Sequence, residues 1–407
     1  MMDEIKWIDN KMLKTYGKGT STELFSKAEI DKARRFHATF PNYDPTPLRS
    51  LKKLAMNYGV AGIYVKDESY RFGLNAFKAL GGSYAIGRYL AQKLHKDISE
   101  LPYDVLISPE IKEQLGDITF ATTTDGNHGR GIAWTARQLG QKSVVYMPRG
   151  SSQFRLEKIR EEGAEAYITD LNYDDAVRMT AAKAEENGWV VVQDTSWEGY
   201  EEIPSWIMQG YGTMSAEALE ELNNLGIEKP THIFVQAGVG ALAGSIEGYF
   251  ASLFKEERPK TVVVEANKAD CLYQSALAGD GKPRVVGGDM STIMAGLACG
   301  EPNLIGWKIL RDYGNMFVSS PDWVAARGMR VLANPLLGDP RVISGESGAV
   351  TTGLLSSFLK DESFKEAREK LNLNSQSHVL VFNTEGNTDP YKYRSIVWDG
   401  ELPSTGR

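Results

Sequence analysis

Along the chain, apolar runs bounded by glycine alternate with stretches of helical period, the pattern of strands and crossover helices around a parallel sheet. In a first block the spacing predicts a strand over 117–124 (DITFATTT), a helix over 127–140 and a strand over 142–148. It continues with a helix over 151–162, a strand over 164–169, a helix near 172–187 and a strand over 189–194. A second block opens with a long helix near Trp206, then a strand over 231–238, a helix from Gly240 and a strand over 260–266. The runs at 316–320 and 378–384 read as its later strands. This predicts an α/β chain with two doubly wound open sheets and no internal repeat. Two such units leave a cleft lined by loops at the carboxyl ends of strands.

Composition narrows the function. The chain has 407 residues, 42% apolar and 24% charged, enough for two or three domains. Its net charge of −7 is spread without long blocks of one sign, so nothing points to nucleic acid or an anionic membrane. A small solvated molecule is the expected partner. The start, MMDEIKWIDNKMLK, has no apolar leader core, and no stretch of about 18 apolar residues follows, so a cytoplasmic protein is expected. Cys271 and Cys299 are the only cysteines, without metal-ligand spacing. Reduced thiols and no structural metal are expected.

Four loops at strand ends carry candidate chemistry. In QAGVGALAG (236–244) glycines follow a strand and precede a helix, where backbone N–H groups and the positive helix end cradle an anion. A ligand-free tight turn explains them equally well, and neither a P-loop lysine nor an assignable acidic ribose partner accompanies them. TTTDGNHGRG (122–131) places Asp125, Asn127 and His128 at the cleft. Asn127 reads as a helix cap and His128 as a packed or solvated histidine, but capping does not need both Asp125 and Asn127. In VVQDTSWEGY (191–200) Asp194 ends a strand, where a turn role competes with a site role. FNTEGNTD (382–389) by itself says turn.

NAFKALGGSY (75–84) raises a sharper question, because Lys78 sits between an apolar residue and a small-residue run that opens a helix. Such a lysine either snorkels or is used. If used, desolvation lowers its pKa and makes it a Schiff-base amine, which needs a carbonyl cofactor and a place for that cofactor's phosphate. The loop at 238–240 supplies the place.

Taken jointly, NAFKALGGSYA, TTTDGNHGRG, QDTSWEGY and QAGVGALAG resemble the pyridoxal-phosphate enzymes of fold type II, the tryptophan-synthase-β and threonine-dehydratase group. Within the group the chain is most similar to the diaminopropionate ammonia-lyases, from Thr46 to Arg394. The resemblance implies a cofactor, pyridoxal 5'-phosphate, in a cleft between a large domain (1–85 and 200–407) and an inserted small domain (86–199). It implies Lys78 as the cofactor's lysine, Gly238, Val239, Gly240 and Ala241 as its phosphate cradle, and Asn127 at its 3-hydroxyl. Thr384 aligns with the neutral hydroxyl facing the pyridine nitrogen, with Thr388 a rival because NTEGNTD departs from the usual Ser-Gly-Gly-Asn. A neutral hydroxyl there makes the ring a shallower electron sink than an aspartate would, which favours prompt loss of a β-substituent.

Asp125 is the informative departure, since ordinary serine/threonine dehydratases carry a small residue there. A carboxylate pairs with a β-ammonium or takes the Cα proton, with Asp194 as a second carboxylate orienting the substrate amine. An uncharged substrate would leave that acidic pocket without a counterion. The implied reaction is α,β-elimination of 2,3-diaminopropionate to pyruvate and two ammonia, by a homodimer. Lys78 is the expected base for the L-isomer and Asp125 for the D-isomer. His128, Glu346 and the loop 344–349 receive no role. Alternatives are a serine/threonine dehydratase or another β-eliminating or β-replacing enzyme such as a sulfhydrylase, a nicotinamide-dependent oxidoreductase, and a catalytically silent binding protein.

Overall fold

The computed structural model describes residues 4–404 and contains two sheets. The larger has seven strands in the spatial order β1 (Lys6–Asp9), β10 (Met316–Ser320), β9 (Lys260–Ala266), β8 (His232–Gln236), β11 (His378–Asn383), β3 (Gly62–Asp67) and β2 (Leu48–Ser50). The smaller has four, ordered β6 (Glu165–Ile168), β5 (Lys142–Met147), β4 (Thr119–Thr123) and β7 (Val190–Val191). Neighbours run parallel except at the two edges of the larger sheet, where β1 and β2 pair antiparallel.

Alternation of side chains explains the large sheet's burial on both faces. Val262 and Val264 of β9 pack into one core with Ile63, Val65, Val379 and Leu354, whereas Val263 faces the other with Ile233, Leu380 and Phe250. Under the small sheet, Val145 and Met147 meet Ala133, Leu156 and Ile159.

Strands β1, β2 and β3 depart from the two blocks predicted from the pattern. Their sequences, KWID, LRS and GIYVKD, are short or end in charges, so no apolar run marks them. Lys66 at the end of β3 is nevertheless fully buried, because Glu217 and Glu221 neutralise it at 2.9 and 2.7 Å.

The topology sets the site. In the small sheet the chain proceeds from β4 to β5 and β6 on one side, while β7 returns on the other. Loops leaving β4 and β7 therefore diverge and open a crevice at their carboxyl ends. In the large sheet β8 and β11 lie side by side, and the loops after them contribute the opposing wall.

Candidate active site

Lys78 immediately precedes the helix Ala79–Lys93. The Phe77 N–H donates to the Thr384 carbonyl at 3.1 Å, and Ala76 bridges Glu385, so the segment is stitched to the end of β11. The small residues after Lys78 answer the question that its sequence raised. A side chain added at Gly81 would come within 2.5 Å of Tyr211, so the run lets the helix Glu202–Asn224 press against the lysine's own helix.

The Lys78 amine donates to Asp194 and lies 5.3 and 5.8 Å from the ring centroids of Phe77 and Tyr211. Burial works against the ammonium, but the adjoining Asp194 carboxylate outweighs burial, and the lysine pKa is raised. This corrects the expectation that desolvation lowers it: the sequence did not reveal a carboxylate at contact. Burial also pushes the Asp194 carboxyl up, and the Lys78 ammonium overrides it and holds the group at about 2. His128 is buried; its Nε2 donates to the Val192 carbonyl at 2.8 Å, and Nδ1 stands 3.9 Å from Asp194. Burial lowers its pKa, so the ring is held neutral with the Nδ1 lone pair toward the cavity side.

Across the cavity lie Gly238, Val239, Gly240 and Ala241. Gly240 has φ 96°, a left-handed turn that opens the helix Ala241–Phe254. Among the described residues the N–H groups of 238–241 donate to no protein acceptor, while Asn303 N–H fixes the Val239 carbonyl at 2.7 Å. Four free donors at a helix start suit an anionic group. Thr384 also lines the cavity, and its oxygen accepts from Gln236 Nε2 at 2.7 Å, which leaves its own O–H proton free to donate. Thr388 does not reach this cavity; it lines a neighbouring one and donates to Glu385 at 3.2 Å.

Asn127 is the first residue of the helix Asn127–Gln138, not its cap. The cap position is Gly126, and the Thr124 hydroxyl accepts from the Gly126 N–H at 2.9 Å. This leaves Asn127 Nδ2 to donate to Glu385 at 2.6 Å. Asp125 does not cap either. Its carboxylate lies 3.5 Å from Arg155 Nη1, so it has a counterion within the protein. That weakens the argument that an uncharged substrate would strand a bare acidic pocket.

Lys78, Asp125, Asn127, Asp194, Thr384 and the glycine loop thus line one cavity. So do Gln236, Ser347, Cys299 and Glu385, which the sequence reading left unassigned. Gln236 ends β8 and Glu385 follows β11, where alternation at a strand end is the signal the sequence carries. Arg155 left none, being one basic residue on a charged helix. Both cysteines are free, and burial raises both thiols well above their usual range.

The residues fit a phosphorylated carbonyl cofactor: an amine at one wall, free N–H donors at another, and buried Ser347 Oγ and His128 Nδ1 without partners. Fold and site define a pyridoxal-phosphate enzyme of fold type II, and the family model described as "Pyridoxal-phosphate dependent enzyme" matches residues 39–373. Diaminopropionate ammonia-lyase from Salmonella typhimurium is 52% identical over 401 residues, covering 98% of this chain and 99% of its own. That from Escherichia coli K12 is 52% identical over 394 residues, covering 97% and 96%. The chain belongs to this family, among the diaminopropionate ammonia-lyases. The holo crystal structure of the Escherichia coli enzyme superposes with TM-score 0.91 at 50% identity, covering 98% of each chain. Its complex with an aminoacrylate-PLP azomethine reaction intermediate superposes at 0.89 with 49% identity and the same coverage, and its complex with D-serine at 0.92 with 50%.

Proposed function

We propose that the protein eliminates ammonia from 2,3-diaminopropionate, yielding pyruvate and, after hydrolysis, a second ammonia. The observation that carries this reading is the gathering of one amine, Lys78, and two carboxylates, Asp125 and Asp194, around one cavity faced by unpaired backbone donors.

Bound pyridoxal phosphate supplies an electron sink for the pair left when the substrate's Cα proton departs. Lys78 is the residue that carries the cofactor, and the N–H groups of Gly238, Val239, Gly240 and Ala241 hold its phosphate. Asn127 faces its 3-oxygen. Thr384, with its oxygen already accepting from Gln236, offers its proton to the ring nitrogen. With Lys78 holding the cofactor, Asp194 would be available to pair with a substrate ammonium. Asp125 pairs with the second ammonium, which leaves Cβ as neutral ammonia. Lys78 takes the Cα proton of the L-isomer, and Asp125 that of the D-isomer. With an uncharged substrate Arg155 still neutralises Asp125, in keeping with the D-serine complex of the Escherichia coli relative.

The reading includes a large domain over 1–85 and 200–407 and a small one over 86–199; all four small-sheet strands fall between 119 and 191. It also includes a homodimer working in the cytoplasm. No helix among the described residues is long and apolar enough to cross a membrane. The test offers purified protein L- and D-2,3-diaminopropionate, serine, threonine and O-acetylserine and measures both products. Two ammonia per pyruvate from diaminopropionate is expected. No pyruvate from either isomer, or faster ammonia release from threonine or O-acetylserine, overturns it.

A further inference from the structure

Asp125 and Asn127 flank Gly126, and each is held by a charged residue from another element. Arg155, on the helix Gln153–Glu161, places Nη1 3.5 Å from Asp125 Oδ2. Glu385, in the loop after β11, accepts from Asn127 Nδ2 at 2.6 Å. Between the two holders stands one hydroxyl. Thr388 Oγ1 accepts from Arg155 Nη2 at 3.4 Å and donates its only proton to Glu385 Oε2 at 3.2 Å. The polarity runs one way, from guanidinium through hydroxyl to carboxylate, so every contact is complementary. Gly126 closes the arrangement. Its φ is 152°, and a Cβ there would lie 2.9 Å from Arg155 Cδ, so the arginine stem rests directly on the loop between the two residues.

Arg155 is mostly buried, with its Nε shielded from solvent and unpaired among the described residues, and Glu385 is 2% exposed and also accepts from the Ser347 N–H at 3.2 Å. Neither is an incidental surface charge. Arg155 lies in the unit of the small sheet and Glu385 and Thr388 follow the large one, so the link spans the crevice beside the cavity.

We propose that Arg155, Thr388 and Glu385 form a positioning chain that couples Asp125, facing the substrate, to Asn127, facing the cofactor. The proposal rests on the ammonia-lyase reading of the cavity. The chain makes the placement of the Asn127 amide depend on the placement of the Asp125 carboxylate, through a hydroxyl that touches neither substrate nor cofactor.

Thr388→Val keeps the side chain's shape and removes the link; Thr388→Ser keeps the hydroxyl. In holoenzyme, Thr388→Val is expected to shift the absorption maximum of the bound cofactor, weaken its affinity about fivefold and raise KM for diaminopropionate by a similar factor. Thr388→Ser restores all three. Arg155→Lys, at a residue with no hydrogen bond to Asn127 among the described residues, is expected to shift the spectrum with Thr388 present and to have no further effect in the Thr388→Val background. Thermal unfolding of each apo protein checks that the variants fold. A folded Thr388→Val protein with the parent's spectrum, cofactor affinity and KM overturns the chain. So do spectral effects of Arg155→Lys that are equal in both backgrounds. If the parent protein itself fails to release two ammonia per pyruvate, the ammonia-lyase reading falls, while the spectral comparison still decides whether Thr388 links the two residues.

Discussion

A carboxylate and an amine at contact inside a protein each cancel the penalty of burying the other. Lys78 and Asp194 do this, and the pair shows why the residue scale was only partly legible. The motif around Lys78 marked it as unusual, and the loop after β7 offered Asp194, but their contact joins residues 116 positions apart. The direction of the lysine pKa followed from that contact. Arg155 beside Asp125 and Gln236 beside Thr384 are of the same kind: ordinary residues until the fold brings them up. Asp125→Asn removes the base assigned to one stereoisomer while keeping the side chain's size. Turnover of D-diaminopropionate should fall at least about a hundredfold, with the L-isomer affected much less. Steady-state rates on the two isomers check this, and an unaltered D-rate removes Asp125 from its role.

At the scale of elements, β4, β5, β6, β8, β9, β10 and β11 lie where apolar runs predicted them, because runs such as KTVVVEA state their burial on both faces. β1, β2 and β3 do not, since a buried lysine or a three-residue edge strand carries no such pattern. The helix Ala241–Phe254 holds a further consequence of burial. Burial raises its Glu247 carboxyl to about 8, with Thr261 and Arg258 opposing, and Arg258 Nε is 3.4 Å away. The folded state therefore keeps a proton that the unfolded chain releases above about pH 4.5, and stability falls as pH rises through that window toward 8. Glu247→Gln should leave stability unchanged near pH 4 and raise it by roughly 5 kcal/mol near pH 9. Chemical denaturation at the two pH values measures the difference, and an equal effect at both excludes a buried neutral carboxyl.

For the whole molecule, the α/β class and the pair of sheets were legible, since alternation of strand and helix is a local property of the chain. The order of strands was not, because pairing joins distant segments: β11 lies between β8 and β3, and β1 pairs with β10. Assembly belongs to this scale as well. Sedimentation or light scattering of the purified protein is expected to give twice the chain mass of 45.0 kDa, and a monomer at working concentration removes the homodimer.

The central position of β11 bears on how the protein is made. It begins at His378, after every other strand of the described chain, yet it bonds to β8 on one side and β3 on the other. On the ribosome the four small-sheet strands emerge together and have their partners at hand. The two halves of the seven-stranded sheet cannot join until this late segment leaves the exit tunnel. Until then the wall carrying Thr384 and Glu385 is missing, and the unfinished polypeptide has no complete catalytic cavity.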